Sequence, residues 1–401
     1  LKTIKKILKK MPFIKDNNSG NELGSIRPTD KPVFNTFNGN EIIYNIFLPT
    51  VKKEYIFGGI YTALLFLKEL QVNHCKVKIT AFDKFLSDEE KLETSHYLAK
   101  KLNMSISYLE ILTIAEYKKS SPSLGEIFIG TIWYTTIVIR QLIDNNDFIH
   151  KSYIYFIQDF EPGFSQWSDD YADAITSYKK GRYIPVFNST FLKDYFAEQG
   201  LINFDTHFVL KPQIQTQQLT LPTKVNATPK LFFYARPKRP RNLFKTGMQG
   251  LIDWLHEENP DIEIYTAGQP HDDLIFGRWT IKSLGKMDES VYWKTLSQYD
   301  IGLSLMLSPH PSYPPLEMAL SGVMTVTNRY ANKDLAELSN NFVSCDLDSS
   351  SVKQALKEAY GKCKQLDERI ANAKFDHDPM AHSMEKVAQE IVELYAVKNI
   401  G

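Results

Sequence analysis

Apolar runs alternate with amphipathic stretches along this chain in the rhythm of a strand and helix series. The first run, Glu41-Ile42-Ile43-Tyr44-Asn45-Ile46-Phe47-Leu48, predicts a strand; it ends at Pro49, passes Phe57-Gly58-Gly59 and enters a helical pattern over 60–70. Further strand candidates lie at 76–82, 105–111, 126–129 and 153–157, with helical segments such as 87–102 between most of them. Alternation at this spacing predicts a parallel sheet covered by helices on both faces. A proline-, glutamine- and threonine-rich stretch over 211–230 reads as a linker. The pattern then restarts, with strands at 231–234, 262–267, 280–284, 301–306 and 323–327 and helices at 244–257, 289–298 and 316–320. The expected fold is α/β, two Rossmann-like domains spanning 1–215 and 216–382, with the last amphipathic stretch, 383–401, packing back on the first.

Composition sharpens this picture in a few places. A length of 401 residues suits two domains, and 43% hydrophobic with 12% aromatic residues supplies a core for each. Lys+Arg 47 against Asp+Glu 47 leaves no net charge to draw the protein onto nucleic acid, so any basic site is local. Cys75, Cys345 and Cys363 are too few and scattered for a disulfide framework or a four-ligand metal site, which suits a reducing cytoplasm. The longest apolar stretch, 127–143, is shorter than a bilayer span and contains Arg140. At the N-terminus Leu1, Ile4, Leu8 and Met11 recur at helical spacing among Lys2, Lys5, Lys6, Lys9 and Lys10. Such a helix either docks on the first domain or lies peripherally on the anionic inner face of the cytoplasmic membrane.

Two segments of the second half carry chemistry. In Tyr234-Ala235-Arg236-Pro237-Lys238-Arg239-Pro240-Arg241-Asn242, four cations fall within six positions directly after a strand, where Rossmann-like folds bind ligands. An anion offsets such crowding, and arginine forks match phosphate oxygens. The second segment runs Ser308-Pro309-His310-Pro311-Ser312-Tyr313-Pro314-Pro315-Leu316-Glu317-Met318-Ala319-Leu320-Ser321-Gly322. Prolines fix this loop before a helix expected to start near Leu316, whose N–H groups suit an anion. Glu317 then either serves the helix dipole or accepts hydrogen bonds from a ribose diol. In the first half, Gly58-Gly59 marks a turn, Gly130-Thr131-Ile132-Trp133 follows a strand end, and so does Ile157-Gln158-Asp159-Phe160-Glu161-Pro162.

The Pro-Pro-Leu-Glu-Met-Ala run with Ser321-Gly322 resembles the nucleotide-binding motif of retaining, two-domain (GT-B, family 4 type) glycosyltransferases. The wider wording of that loop, and Gln-Asp-Phe-Glu-Pro, are similar to WsaF-like rhamnosyltransferases of bacterial surface glycan assembly. The resemblance implies parallel sheets facing across a cleft and transfer of L-rhamnose from dTDP-L-rhamnose to a lipid-linked glycan of S-layer, O-antigen or capsule type, with retention. It further implies that Arg236 and Arg241 grip the donor diphosphate, with Asn242, Met287, Tyr313 and Glu317 around the donor. Gly58, Gly59, Thr131 and Trp133 would line the sugar or acceptor cleft, and Asp159 and Glu161 would either orient the acceptor or support charge at the anomeric carbon, or else cap the following turn. Pro309-His310 stands where that family carries its first glutamate, so that acid's sugar contact does not transfer. No Asp-x-Asp triplet of the metal-holding kind is expected, and no metal or other cofactor. Another sugar nucleotide, or a non-catalytic nucleotide-sugar-binding subunit, remains an alternative reading.

Overall fold

The computed structural model describes residues 32–56, 58–202 and 206–397. The basic N-terminal segment with Lys2, Lys5, Lys6, Lys9 and Lys10 lies outside them. The chain divides into two units, one ending at Gln213 and resuming at Asp378, the other spanning Ile214–His377.

In the first unit the order is β1 (Ile43–Leu48), α1 (Gly58–Val72), β2 (Lys76–Ala81), α2 (Asp88–Leu102), β3 (Leu109–Thr113) and α3 (Ile114–Tyr117). It continues with β4 (Glu126–Gly130), α4 (Trp133–Asn145), β5 (Tyr153–Ile157), α5 (Asp169–Lys179), β6 (Tyr183–Phe187), α6 (Thr190–Glu198) and β7 (Phe208–Val209). The strands pair in parallel in the order β3-β2-β1-β4-β5-β6-β7. Strand order reverses between β1 and β4, so the loops after those two strands diverge to opposite faces and open a crevice.

The second unit repeats the plan with β8 (Lys230–Ala235), α7 (Phe244–Glu258), β9 (Glu263–Gly268), β10 (Leu274–Phe276), β11 (Trp279–Ser283), α8 (Glu289–Leu296) and β12 (Ile301–Leu303). Then come α9 (Tyr313–Leu320), β13 (Met324–Asn328), β14 (Phe342–Cys345), α10 (Ser349–Lys362) and α11 (Leu366–Asn372). The sheet order is β10-β11-β9-β8-β12-β13-β14, with only β10 antiparallel among the described strands. Its switch point lies between β8 and β12. The last helix, α12 (Met384–Val397), belongs to the first unit and packs on α1, placing Met384, Val387, Ala388, Ile391 and Tyr395 in that unit's core.

Two expectations near the second switch point are corrected. The strand predicted over 301–306 stops at Leu303, because the chain beyond it is held by side chains: Asn328 accepts from Met306 N–H (2.7 Å) and donates to its carbonyl (3.0 Å). The helix predicted from Leu316 begins at Tyr313, so Glu317 is its fifth residue. Proline is tolerated in a first helical turn, where an N–H has no intrahelical partner anyway. With Pro314 and Pro315 there, α9 also offers fewer free N–H groups to an anion than the sequence suggests.

Candidate donor site at the second switch point

Both basic and proline-rich segments leave the central strands of the second sheet at the same end. Residues 236–242 follow β8, and residues 304–312 follow β12, its neighbour across the switch point. They are tied directly: Leu307 N–H donates to the Arg241 carbonyl at 2.8 Å. Asn242 is buried and its amide reaches the Leu305 carbonyl at 3.5 Å, which makes it a strut between the loops. Arg236 and Arg241 are half-buried, whereas Lys238 and Arg239 are exposed.

The helix after the basic loop adds to the positive field. Leu243 takes the N-cap of α7 in the left-handed region (φ 49°) and contributes no capping side chain. The first N–H groups of this fifteen-residue helix therefore face the loop without a side-chain acceptor from that cap, an arrangement that favours an oxyanion. Gly268 ends β9 against this loop with φ +128°; a Cβ there would stand 2.6 Å from the Ala235 carbonyl and 3.1 Å from Arg236 Cγ. Only glycine allows that approach.

Glu317 is buried, and its Oε1 accepts from the Trp293 indole N–H of α8 at 3.1 Å. Burial raises its pKa to about 7, while the Trp293 indole and Tyr292 hydroxyl pull it down. Tyr234, at the end of β8, connects the charges. Its phenol is pushed up by burial, drawn down by Arg236 and raised again by Glu317, so the cation and the carboxylate act on one ring. Met287, Tyr234 and Tyr292 each pack against one buried cluster that includes Phe232, Tyr299 and Met318, and Tyr313 lies 5.8 Å from His310, ring to ring. Ser308, His310 and Ser312 are buried and mutually bonded: His310 N–H donates to Ser308 Oγ (3.0 Å) and Ser312 N–H to His310 Nδ1 (3.0 Å). The proline-rich loop is thus preset. Cations beside a buried acceptor can hold a diphosphate and a hydroxylated group next to it.

Residues that sequence reading passed over include Tyr234, Tyr292, Trp293, Asn328 and Lys333. Lys333 is buried and its ammonium donates to the Met306 carbonyl at 3.1 Å. The aromatic residues read as ordinary packing, and only the tertiary contact between α8 and α9 brings Tyr292 and Trp293 to Glu317.

In the first unit, the predicted cleft residues also flank a switch point. Gly58 (φ +52°) opens α1 after β1, and a Cβ at Gly59 would lie 3.0 Å from Gln158 Oε1. Thr131, after β4, donates to the Phe47 carbonyl at 2.7 Å. Glu161 is buried and accepts from Trp133 N–H (2.5 Å) at the start of α4 and from the Tyr155 hydroxyl (3.0 Å), while its own N–H donates to Tyr178. Burial lifts its carboxyl to about 8 against those two donors, with Asp159 adding to the rise. Glu161 therefore has a helix-capping task across two loops. Asp159 is half-buried and accepts from Phe160 N–H in its own turn at 2.8 Å.

Asp-x-Asp triplets do occur, at Asp346–Asp348 and Asp376–Asp378. Asp348 caps α10 through Ser351 N–H, and Asp378 accepts from the Thr190 N–H and hydroxyl. Among the described residues no three His, Cys, Asp or Glu side chains cluster to hold a metal ion, and no helix is long and apolar enough to cross a membrane.

Two Rossmann-like parallel sheets, one with paired basic and proline-rich loops at its switch point, make up the GT-B fold. The chain belongs to the WsaF family: the model described as WsaF, N-terminal domain, matches residues 43–190, and that described as WsaF, C-terminal domain, matches residues 229–357. Over 208 residues it is 30% identical to the O-antigen biosynthesis protein RfbC of Myxococcus xanthus, covering 51% of this chain and only 16% of that protein. Among solved structures it is similar to TarM (TM-score 0.64, 9% identity, 88% of this chain and 98% of that one). It is likewise similar to Anabaena Alr3699/HepE in complex with UDP (TM-score 0.58, 12% identity, 89% and 100%). At such identities these two show the shared fold.

Proposed function

We propose that this chain transfers a sugar from a nucleoside diphosphate sugar to a growing bacterial surface polysaccharide, with L-rhamnose from dTDP-L-rhamnose as the donor and retention at the anomeric carbon. The observation that carries this reading is the meeting at one switch point of Arg236 and Arg241, on the loop after β8, with Glu317 on α9. Arg236, Arg241 and the start of α7 neutralise the leaving diphosphate, so that no divalent ion is required there. Glu317 holds a hydroxyl of the donor. The first unit presents a lipid-linked glycan, with Gly58, Gly59, Thr131 and Trp133 nearest to it and Asp159 available to orient the attacking hydroxyl. The relative named for O-antigen biosynthesis and the neighbour named as a UDP complex support the polysaccharide and nucleotide parts of this reading. The chemistry is carried out at the inner face of the cytoplasmic membrane, where such acceptors are assembled.

The test is a mass assay of purified protein with dTDP-L-rhamnose, UDP- and GDP-hexoses and a rhamnose-terminated lipid-linked acceptor. Transfer from dTDP-L-rhamnose alone is the expected result. Transfer only from a hexose donor replaces the donor assignment, and nucleotide binding without turnover on any donor sinks the enzyme reading.

A further inference from the structure

A second charged cavity lies in the first unit, at the opposite end of the strands from Gln158 and Asp159. It is a surface pocket of about 720 Å³ lined by Arg140, Ile143, Asp144, Lys151, Tyr153, Lys180, Gly181 and Arg182. Four cationic side chains stand against the single carboxylate of Asp144. The C-terminal end of α5 accounts for Lys180, its C-cap, because a cation suits the negative end of the helix dipole. It does not account for Arg140, in the interior of α4, or for Arg182, which leads into β6. Lys151 is anchored by a bond to the Asn146 carbonyl at 2.9 Å.

The pocket also holds an unmet hydrogen bond. Tyr153 is 1% exposed, yet among the described residues its hydroxyl finds no hydrogen-bond partner. Thr136, beside it on α4, donates its own hydroxyl to the Trp133 carbonyl at 2.7 Å, so it can meet the Tyr153 phenol only as an acceptor, a contact that falls short of a well-formed hydrogen bond. Burial pushes the phenol well above its usual range, so it is a neutral donor. A buried hydroxyl left unsatisfied is costly, and such groups call for a ligand or water. Gly181 packs against this hydroxyl: it sits at φ +104°, and a Cβ there would stand 3.1 Å from Tyr153 Oη and 2.7 Å from Arg140 Cδ, so any side chain at this position would fill the space beside both groups.

We propose that this pocket binds a phosphoryl oxyanion, held by Arg140 and Arg182, with Tyr153 donating to one oxygen and Lys151 and Lys180 neutralising the rest. The site is separate from the nucleotide-side arginines, which belong to the other unit. Its ligand is a phosphate group carried either by a soluble metabolite or by a lipid headgroup.

The test uses the full chain carrying Arg236→Ala and Arg241→Ala, so that the nucleotide-side arginines do not report, with inorganic pyrophosphate as probe in a calorimetric titration. One equivalent binds, and Lys180→Glu with Arg182→Glu weakens it at least about tenfold, as expected for losing two charge-assisted contacts. Tyr153→Phe weakens it by about three- to tenfold while leaving the thermal midpoint unchanged or higher, since the hydroxyl has no partner to lose. A second arm measures co-sedimentation with phosphatidylcholine vesicles with and without phosphatidylglycerol. Vesicle binding lost in the same variants assigns the phosphate to a lipid headgroup, and vesicle binding unaffected by them assigns it to a soluble anion. Pyrophosphate affinity that ignores all these substitutions overturns the proposal. So does vesicle binding that falls on charge reversal but not in Tyr153→Phe, with no pyrophosphate binding.

Discussion

At the scale of single residues, the candidate donor site depends on groups whose charge is set by surroundings. Arg236 and Arg241 stand half-buried on a loop joined to its neighbour by the Leu307 to Arg241 backbone bond. Arg236→Ala or Arg241→Ala is expected to weaken dTDP binding about tenfold or more in a calorimetric titration, the usual cost of a charge-assisted phosphate contact. Glu317 titrates near 7, so its carboxylate becomes a full acceptor only as pH rises through that value. Donor affinity should therefore increase between about pH 6 and 8 in the parent and stay flat in Glu317→Gln. Glu161 makes a prediction of stability instead. Its folded pKa, about 8, lies above the ordinary carboxyl value of 4.5, so the folded state keeps a proton that the unfolded chain releases. Its stabilising contribution is complete below about pH 4.5 and is lost as pH rises towards 8, with a slope of up to roughly 1.4 kcal/mol per pH unit. Glu161→Gln should flatten that slope in urea titrations across the window. Of these groups, the arginines and Glu317 were legible because charge density and motif wording mark them. Tyr234 and Trp293 were not, since an aromatic in a strand or helix reads as core until the fold shows the charged group beside it, Arg236 for Tyr234 and Glu317 for Trp293.

At the scale of elements, the apolar runs located most strands because a strand of a parallel sheet is buried on both faces and shows as an uninterrupted run. β6 escaped the sequence reading for a physical reason. Pro185 interrupts it and argues against a central strand, yet it pairs in register with Tyr155 and all five residues of β6 are buried. The α9 boundary was misread in the opposite sense, since prolines that suggest a loop fit the first helical turn. The close meeting of β9 with the end of β8 was invisible, because a glycine in sequence does not announce its φ. Gly268→Ala is expected to lower stability by about 1–3 kcal/mol, through both the left-handed φ and the contact with the Ala235 carbonyl. It should also weaken dTDP binding, since relief of that contact moves Arg236. A thermal melt and a binding titration on the same variant check the pair; full stability with intact binding would show that the strand ends have room to spare.

At the scale of the molecule, each unit has its own sheet and core, but the first is completed by a helix that arrives after the second has been built. Met384, Val387, Ala388, Ile391 and Tyr395 fill the core beside α1, and the Tyr395 ring meets Tyr44 edge-on at 6.3 Å. Burying side chains of this size contributes on the order of 1–3 kcal/mol each, so together they weigh about as much as the 5–15 kcal/mol that holds a whole domain folded. Among the described residues, none of the second unit, Ile214–His377, belongs to that core, and this unit carries every candidate donor-side residue named above. Ending the chain at His377 is therefore expected to unfold the first unit while the second still folds and binds dTDP. Circular dichroism should show the loss of one of two melting transitions, and calorimetry a nucleotide affinity within about threefold of the full chain, because the residues assigned to the nucleotide all lie within the second unit. Loss of nucleotide binding in that truncation would mean that the first unit's fold is needed to hold the loops at Arg241 and Glu317 in place.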